Sequence, residues 1–333
     1  MYFCPVNIST GQIFSISNQH DFNDVAIRIF QNQAENCEIY KQYISHLKIT
    51  PSEVKNYKDI PFLPISFFKS HAVISSDKPI EITFSSSGTT GQITSKHLVQ
   101  DLSIYEHSYN KAFELFYGQA DDYCILALLP SYLERDGSSL IYMVDDLLKQ
   151  SAHPKSGYFL HNHEELHQTL AELKSLKKKT LLIGVTYALL DFTEHYQIDF
   201  PELVVMETGG MKGKRKEMVR AELHQLLCAS FGVKHIHSEY GMTELLSQGY
   251  SKGNGIFECP PWMKILLRDT SDPLTILSAT HTTGGINVID LANTNSCSFI
   301  ATQDLGKFHG ENSFEVIGRF DNADIRGCNL LVQ

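Results

Sequence analysis

The run Ile80-Glu81-Ile82-Thr83-Phe84 leads directly into Ser85-Ser86-Ser87-Gly88-Thr89-Thr90-Gly91. Every residue after Phe84 is glycine or carries a small hydroxyl. Glycines let backbone N–H groups approach an anion, and hydroxyls add donors, so the segment suits a polyphosphate. It lacks the Gly-Lys-Ser/Thr ending of a P-loop. A plain Ser/Gly connection is the competing reading.

Outward from this point the pattern alternates. Strand-like runs are expected at 80–84, 122–129, 180–185, 203–207 and 234–237. Helix-like runs are expected at 101–117, 137–150, 164–177, 186–195 and 212–231. Short apolar strands alternating with helices indicate an α/β fold with a largely parallel sheet. Beyond about residue 255 the helices stop, and strand-like pieces at 262–268, 274–279, 285–291, 297–301 and 314–318 predict a β-rich portion. Towards the N-terminus, Phe22, Val25, Ala26, Ile29 and Phe30 recur at helical spacing within 19–47. Pro51 to Val54 starts a short helix, and 61–69, broken by Pro61 and Pro64, reads as a packed irregular segment. Polar, glycine-bearing turns follow three of the expected parallel strands: Ser85–Gly91, Glu207–Gly210 and His237–Glu244. Open α/β sheets bind ligands at that edge.

The bulk numbers narrow the function classes. The 333 residues are 42% hydrophobic and 20% charged, ordinary for a globular protein that buries a real core. A net charge of −10 argues against nucleic acid as a partner, which demands a basic surface. The seven cysteines, at 4, 37, 124, 228, 259, 297 and 328, form no Cys-x-x-Cys pair and read as reduced thiols in a cytoplasmic protein. Met1 to Pro5 has neither a basic start nor an apolar stretch, so no signal peptide is expected. No apolar run is long enough to predict a membrane span.

Four motifs stand in a telling order: 84–91, then Tyr240-Gly241-Met242-Thr243-Glu244, then Thr302-Gln303-Asp304-Leu305-Gly306, then Gly318-Arg319-Phe320-Asp321. The set resembles the acyl-adenylate-forming superfamily of acyl-CoA synthetases, peptide-synthetase adenylation domains and luciferase. Within it, Pro61 to Lys69, Leu129-Pro130-Ser131-Tyr132-Leu133-Glu134-Arg135 and Arg326-Gly327-Cys328 are similar to the acyl-protein synthetases of bacterial bioluminescence, the LuxE type. Phenylacetate-CoA ligases are a related second choice. The resemblance covers roughly residues 50 to 333. It implies a large N-terminal domain of the adenylate-forming type, with 1–79 as a helical segment of that domain, 80–254 as the α/β nucleotide-binding core, and 255–333 as the β-rich portion ending at the hinge motif.

The resemblance also implies roles. Ser86, Ser87, Gly88, Thr89, Thr90 and Gly91 close over the phosphates of ATP. Gly209 and Gly210 lie against adenine and the acyl carboxylate, although a tight turn explains the glycines equally well. Glu239, Tyr240, Gly241 and Met242 line the nucleotide, with Tyr240 stacked on adenine. Thr243 touches phosphate and Glu244 holds Mg²⁺; capping of a helix is the alternative for both. Asp304 takes the ribose hydroxyls and Arg319 contacts ribose or phosphate, while Asp321 falls at the hinge. A turn before Gly306 is the other reading of Asp304.

The chain departs from the pattern in two places. Members usually carry a lysine three residues after the last loop glycine; here Thr94 stands there and Lys96 follows two later. Members also usually carry a mobile C-terminal domain of about 100 residues, which holds a catalytic lysine, and this sequence is expected to lack it. Either Lys96, Lys214 or another local cation then substitutes, or adenylation is slow, or a partner helps. Lys214 lies in the basic run Lys212 to Lys216, which opposes a helix dipole and points to phosphate or an acidic partner, or else is a solvated face. Cys328, beside Arg326, is the acyl-accepting nucleophile that the resemblance implies, or a small buried thiol.

Together these features imply an ATP- and Mg²⁺-dependent ligase that activates a fatty or other carboxylic acid and passes it to a thiol, on the enzyme or on an acyl-reductase or carrier-protein partner. An acyl- or aryl-CoA ligase and a non-catalytic nucleotide-binding scaffold are the alternatives. His161, His163 and His167 have metal-like content but also suit an ordinary helix surface. His237 lines the pocket or is structural.

Overall fold

Apolar runs that are buried along nearly their whole length, Cys124–Leu128, Thr180–Val185 and Val204–Thr208, organise the sheet of one half of the protein. Continuous burial is the signature of parallel strands covered on both faces. They pair in parallel, with Leu126 beside Leu182 and Leu182 beside Val205. A computed structural model describes residues 8–86, 93–129, 137–209, 218–278, 282–310 and 312–319. The chain divides into two compact units, 80–260 and 1–79 with 261–333.

In the 80–260 unit, Gly157–Tyr158 extends the parallel set beside Cys124–Leu128, and His237–Tyr240 extends it beside Val204–Thr208. Gly249–Ser251 and Ile256–Glu258 continue the sheet antiparallel. The helices between these strands are Leu102–Tyr117, Ser139–Ser151, His163–Ser175, Thr186–Thr193 and Arg220–Phe231. Leu102 donates its backbone N–H to Glu81 Oε2 at 2.7 Å, which satisfies one of the open donors at that helix start. Phe192 and Phe231 stack with centroids 5.6 Å apart and join two of the helices.

Two expectations are corrected here. The strand after residue 80 is Ile82–Ser85, and it lies outside the parallel sheet. It pairs antiparallel with Lys96–Val99 as a separate ribbon flanking the serine-rich segment. Lys96-His97-Leu98-Val99 alternates in burial, but its inward members are His97 and Val99, so the apolar pattern conceals the second strand. The strand expected at 234–237 begins at His237 and runs to Tyr240. Its buried members are Ser238 and Tyr240, polar enough to look like a turn.

In the other unit, the expected helical stretch 19–47 is two helices, Gln19–Asn36 and Glu38–His46, broken at Cys37. Met263–Arg268, Thr283–Asp290, Phe299–Phe308 and Ser313–Arg319 pair antiparallel, and Ile276–Leu277 flanks Met263–Arg268. The segment expected to be irregular supplies Leu63–Pro64, a short strand parallel to Phe299–Phe308, and the helix Phe67–Ser70. Phe30, Tyr40 and Phe62 surround Phe299. Gln33, fully buried, directs its two Nε2 hydrogens among Asn293 O, Thr294 O and Ser298 Oγ and accepts from Ser298 N. Every strong polar atom of that amide is thereby satisfied.

Gly232 ends the helix Arg220–Phe231 with φ +66°, and a Cβ there would stand 2.6 Å from Asp199 Cα. Gly232→Ala is expected to cost about 2 kcal/mol of unfolding free energy, measured by urea denaturation. A loss below about 0.5 kcal/mol would mean that the turn relaxes freely.

Candidate functional site

The Val204–Thr208 strand ends in Glu207, Thr208 and then Gly209, whose φ of +65° only glycine adopts without strain. Glu207 is 6% exposed. Ser238 Oγ donates to its Oε1 at 2.8 Å and Thr186 Oγ1 to its Oε2 at 3.0 Å. Arg220 Nε and His224 Nε2 lie 3.8 and 3.6 Å from Oε1. These are ion-pair distances, too long for hydrogen bonds. Burial pushes the carboxyl towards its neutral form, but His224, Arg220 and Ser238 outweigh it and hold Glu207 below the ordinary carboxylate range. Thr186 carries a single hydroxyl proton and also faces Gly209 O at 2.9 Å, so it links the carboxylate to the glycine turn.

Glu239 stands next door, opposite Thr208 in the parallel register. Thr208 Oγ1 donates to its Oε2 at 2.5 Å. Burial, aided by the charge of Glu207, pushes the Glu239 carboxyl up to about 7 against the opposing effect of Thr208. Adjacent strand ends thus hold one glutamate that stays ionised and one that titrates near neutral pH, a separation of titrations common in functional sites. The side chain of Glu239 also explains Gly241, where a Cβ would collide with Glu239 Oε1.

Tyr240 is buried and meets Phe257 edge-to-face at 5.9 Å. Residues 241–248 form turns leading to the Gly249–Ser251 strand, with Leu245 N bonded to Met242 O, and no helix starts at Thr243. The capping alternative for Thr243 and Glu244 is therefore removed. The turn is secured by His97, 1% exposed, whose Nδ1 lies 2.9 Å from Thr243 O. Glu244 is 6% exposed. Among the described residues no group of three or more His, Cys, Asp or Glu is placed to hold a metal ion. Mg²⁺ needs no such group, since it takes one or two carboxylates together with substrate phosphates, and Glu244 fits that demand.

Ser86 and Ser95 bond to each other across the base of the serine-rich segment, Ser86 N to Ser95 O at 3.0 Å and Ser95 N to Ser86 Oγ at 2.9 Å. Lys96 is exposed on the same ribbon. Gly137, with φ +82°, packs where a Cβ would be 3.0 Å from Ser85 Oγ. In the other unit Asp304 lies within the Phe299–Phe308 strand, not in a turn, and its Oδ1 is 3.4 Å from Arg319 Nε.

The family profile described as acyl-protein synthetase, LuxE, matches residues 9–333. The chain belongs to the acyl-protein synthetase, LuxE family. It is a ligase of the acyl-adenylate-forming kind. The fold is similar to 2-hydroxyisobutyryl-CoA ligase in an open conformation with 2-HIB-AMP and CoA, at 13% identity over 96% of this chain and 80% of that one, TM-score 0.68. The same ligase in the postadenylation state with 2-HIB-AMP gives 14% identity, 96% and 72% coverage and a TM-score of 0.69. No curated protein matches the chain.

In this LuxE-family chain Glu239, Tyr240, Gly241, Met242, Thr243 and Glu244 are contiguous, and the Thr208–Glu239 pairing brings Gly209 beside them. Ser86 and Lys96 belong to the same unit, and Asp304 and Arg319 to the other. Ser87, Gly88, Thr89, Thr90, Gly91, Gly210, Lys214, Asp321 and Cys328 lie outside the described residues. Sequence reasoning missed Glu207, Thr186, Ser238, Arg220, His224 and His97. A polar residue ending an otherwise apolar strand was the available signal for Glu207; nothing local marked His97. His163 packs edge-on against Phe192, and His167 lies tilted against Tyr196; His161, His163 and His195 line a shallow depression. His237 bonds Tyr117 at 3.3 Å, and burial, with Lys252 and His235, lowers its pKa to about 4. Among the described residues no helix is long and apolar enough to cross a membrane.

A carboxyl with a raised folded pKa binds its proton more tightly in the folded state. Its contribution to stability therefore falls as pH rises from the ordinary carboxylate range to about 7 and then levels off. Glu239→Gln should remove this dependence. The Tm of the parent protein, relative to the variant, is expected to fall between about pH 5 and pH 8. His237 acts in the opposite sense in both proteins and cancels in the difference. A constant Tm offset across that range would contradict the assignment.

Proposed function

We propose that this LuxE-family ligase joins a carboxylic acid, a fatty acid by family resemblance, to ATP and passes the acyl group to a thiol. The observation that supports this reading most is the meeting of Gly209, Thr208, Glu239 and Tyr240 at adjacent parallel strand ends. That edge is where open α/β sheets bind nucleotides.

In this reading Ser86, Ser87, Gly88, Thr89, Thr90 and Gly91 hold the outer phosphates, with Lys96 and Lys214 as local cations. Gly209 and Gly210 admit adenine and the acyl carboxylate. Tyr240 offers its ring to adenine, with Glu239, Gly241 and Met242 around it, and Thr243 donates to the α-phosphate. Glu244 holds Mg²⁺, which when bound neutralises charge on the phosphates. By motif alone, Asp304 takes the ribose hydroxyls and Arg319 contacts ribose or phosphate. The acid's carboxylate oxygen attacks the α-phosphorus and the bond to pyrophosphate breaks. A thiolate, assigned to Cys328, then attacks the acyl carbon and AMP leaves with the electron pair of the broken C–O bond. A reductase or carrier protein that removes the acyl group from Cys328 completes the cycle.

The test is carboxylate-dependent ATP–pyrophosphate exchange on acids from acetate to palmitate, with aryl acids included. Exchange with a long-chain acid is expected, with loss of at least about 100-fold in Thr243→Ala/Glu244→Gln. Radiolabelled acyl group should remain on the protein and be absent from Cys328→Ala. CoA consumption with no acyl-protein would replace the acceptor by CoA. ATP binding without exchange on any acid would leave only a nucleotide-binding scaffold.

A further inference from the structure

Arg220 opens the helix Arg220–Phe231, where a cation opposes the helix dipole. Three contacts account for its place. Its Nε faces Glu207 Oε1 at 3.8 Å. Its guanidinium carbon lies 5.2 Å from the centre of the Phe257 ring, a cation–π distance. Its stem fills the space beside Gly255, where a Cβ would approach Arg220 Cδ to 2.8 Å and φ is +67°. Phe257 in turn packs against Tyr240. Glu207 binds Thr186, whose hydroxyl reaches Gly209 O. One charge cluster is therefore a single side chain away from the Tyr240 ring on one branch and from the Gly209 turn on the other.

Arg220 faces Glu207 at ion-pair distance, and among the described residues Arg220 Nη1 and His224 Nε2 are buried without hydrogen-bond partners. Removing the charge of Glu207 while keeping its shape takes away the charge that faces Arg220 and leaves an acceptor oxygen for only one of the Ser238 and Thr186 hydroxyls.

We propose that Arg220, Glu207 and His224 are positioning residues that set the Gly209 turn and the Tyr240 ring for the adenine of ATP. This rests on the nucleotide reading of that strand edge and extends it to residues that touch no substrate. Because the Phe257 branch ends on the adenine side alone, while the Gly209 turn meets adenine as well as the acyl carboxylate, the cluster governs affinity for ATP more than for the acid.

The experiment compares Glu207→Gln, Arg220→Met, Arg220→Lys and the Glu207→Gln/Arg220→Met double variant in ATP–pyrophosphate exchange, with ATP affinity measured separately by calorimetry. Each neutralising variant is expected to raise KM and Kd for ATP about tenfold with the KM for the acid unchanged within about twofold. The double variant should be no worse than the worse single one, and Arg220→Lys should recover part of the loss. Phe257→Leu, which removes only the ring, should also raise the ATP terms and keeps the test open should the charge variants not fold. Lower Tm with ATP affinity unchanged in the folded protein overturns the proposal, as does an equal rise in both KM values. A parent protein that binds ATP but shows no exchange refutes the ligase reading, and the Kd comparison still decides the cluster. A parent protein that does not bind ATP overturns both.

Discussion

A carboxylate that is 6% exposed neutralises itself by taking a proton unless its surroundings supply compensating donors and cations. Glu207 is compensated from three elements around its strand end. Thr186 comes from the neighbouring strand-to-helix junction, Ser238 from the next strand, and Arg220 and His224 from the following helix. Those contacts tie the edge of the parallel sheet together where the glycine turn leaves it. The sheet supplies apolar burial, but this one group decides which way the polar residues at its end must face.

The second glutamate is shaped first by burial, which disfavours its charged form, and the ionised Glu207 on the next strand acts in the same direction. Glu239 therefore stands near neutral pH as a group able to donate as well as accept. Thr208 fixes one of its oxygens, and the other occupies the space that Gly241 leaves open. The glycine of the Tyr-Gly-Met-Thr-Glu motif is thus explained by its neighbour two residues earlier, independently of any ligand.

Much of this was legible in the sequence. The parallel strands announced themselves because they are apolar on both faces, and the ordered motifs identified the family, although among them only the Tyr240 motif begins at the end of a parallel strand. What stayed hidden was hidden for physical reasons. His97 sits inward on a strand where an apolar residue would have been recognised, because it is spent on a carbonyl 146 residues away in sequence. Arg220 reads as one more surface cation until Glu207, Phe257 and Gly255 are seen around it. The His237–Tyr240 strand was displaced towards its N-terminus in expectation because its inward serine satisfies a buried carboxylate, not an apolar core.

Gly255 carries a consequence for how this chain tolerates variation. It lies in the short connection between the Gly249–Ser251 and Ile256–Glu258 strands, a place where most substitutions pass unnoticed. Here the missing side chain is the room that an arginine stem occupies. In a selection for activity, position 255 would behave like a residue of the site, although it presents no functional group and is separated from Glu207 by 48 positions of chain (255 − 207). The intolerance would belong to a volume, and the inheritance of that empty volume would be coupled to the inheritance of Arg220.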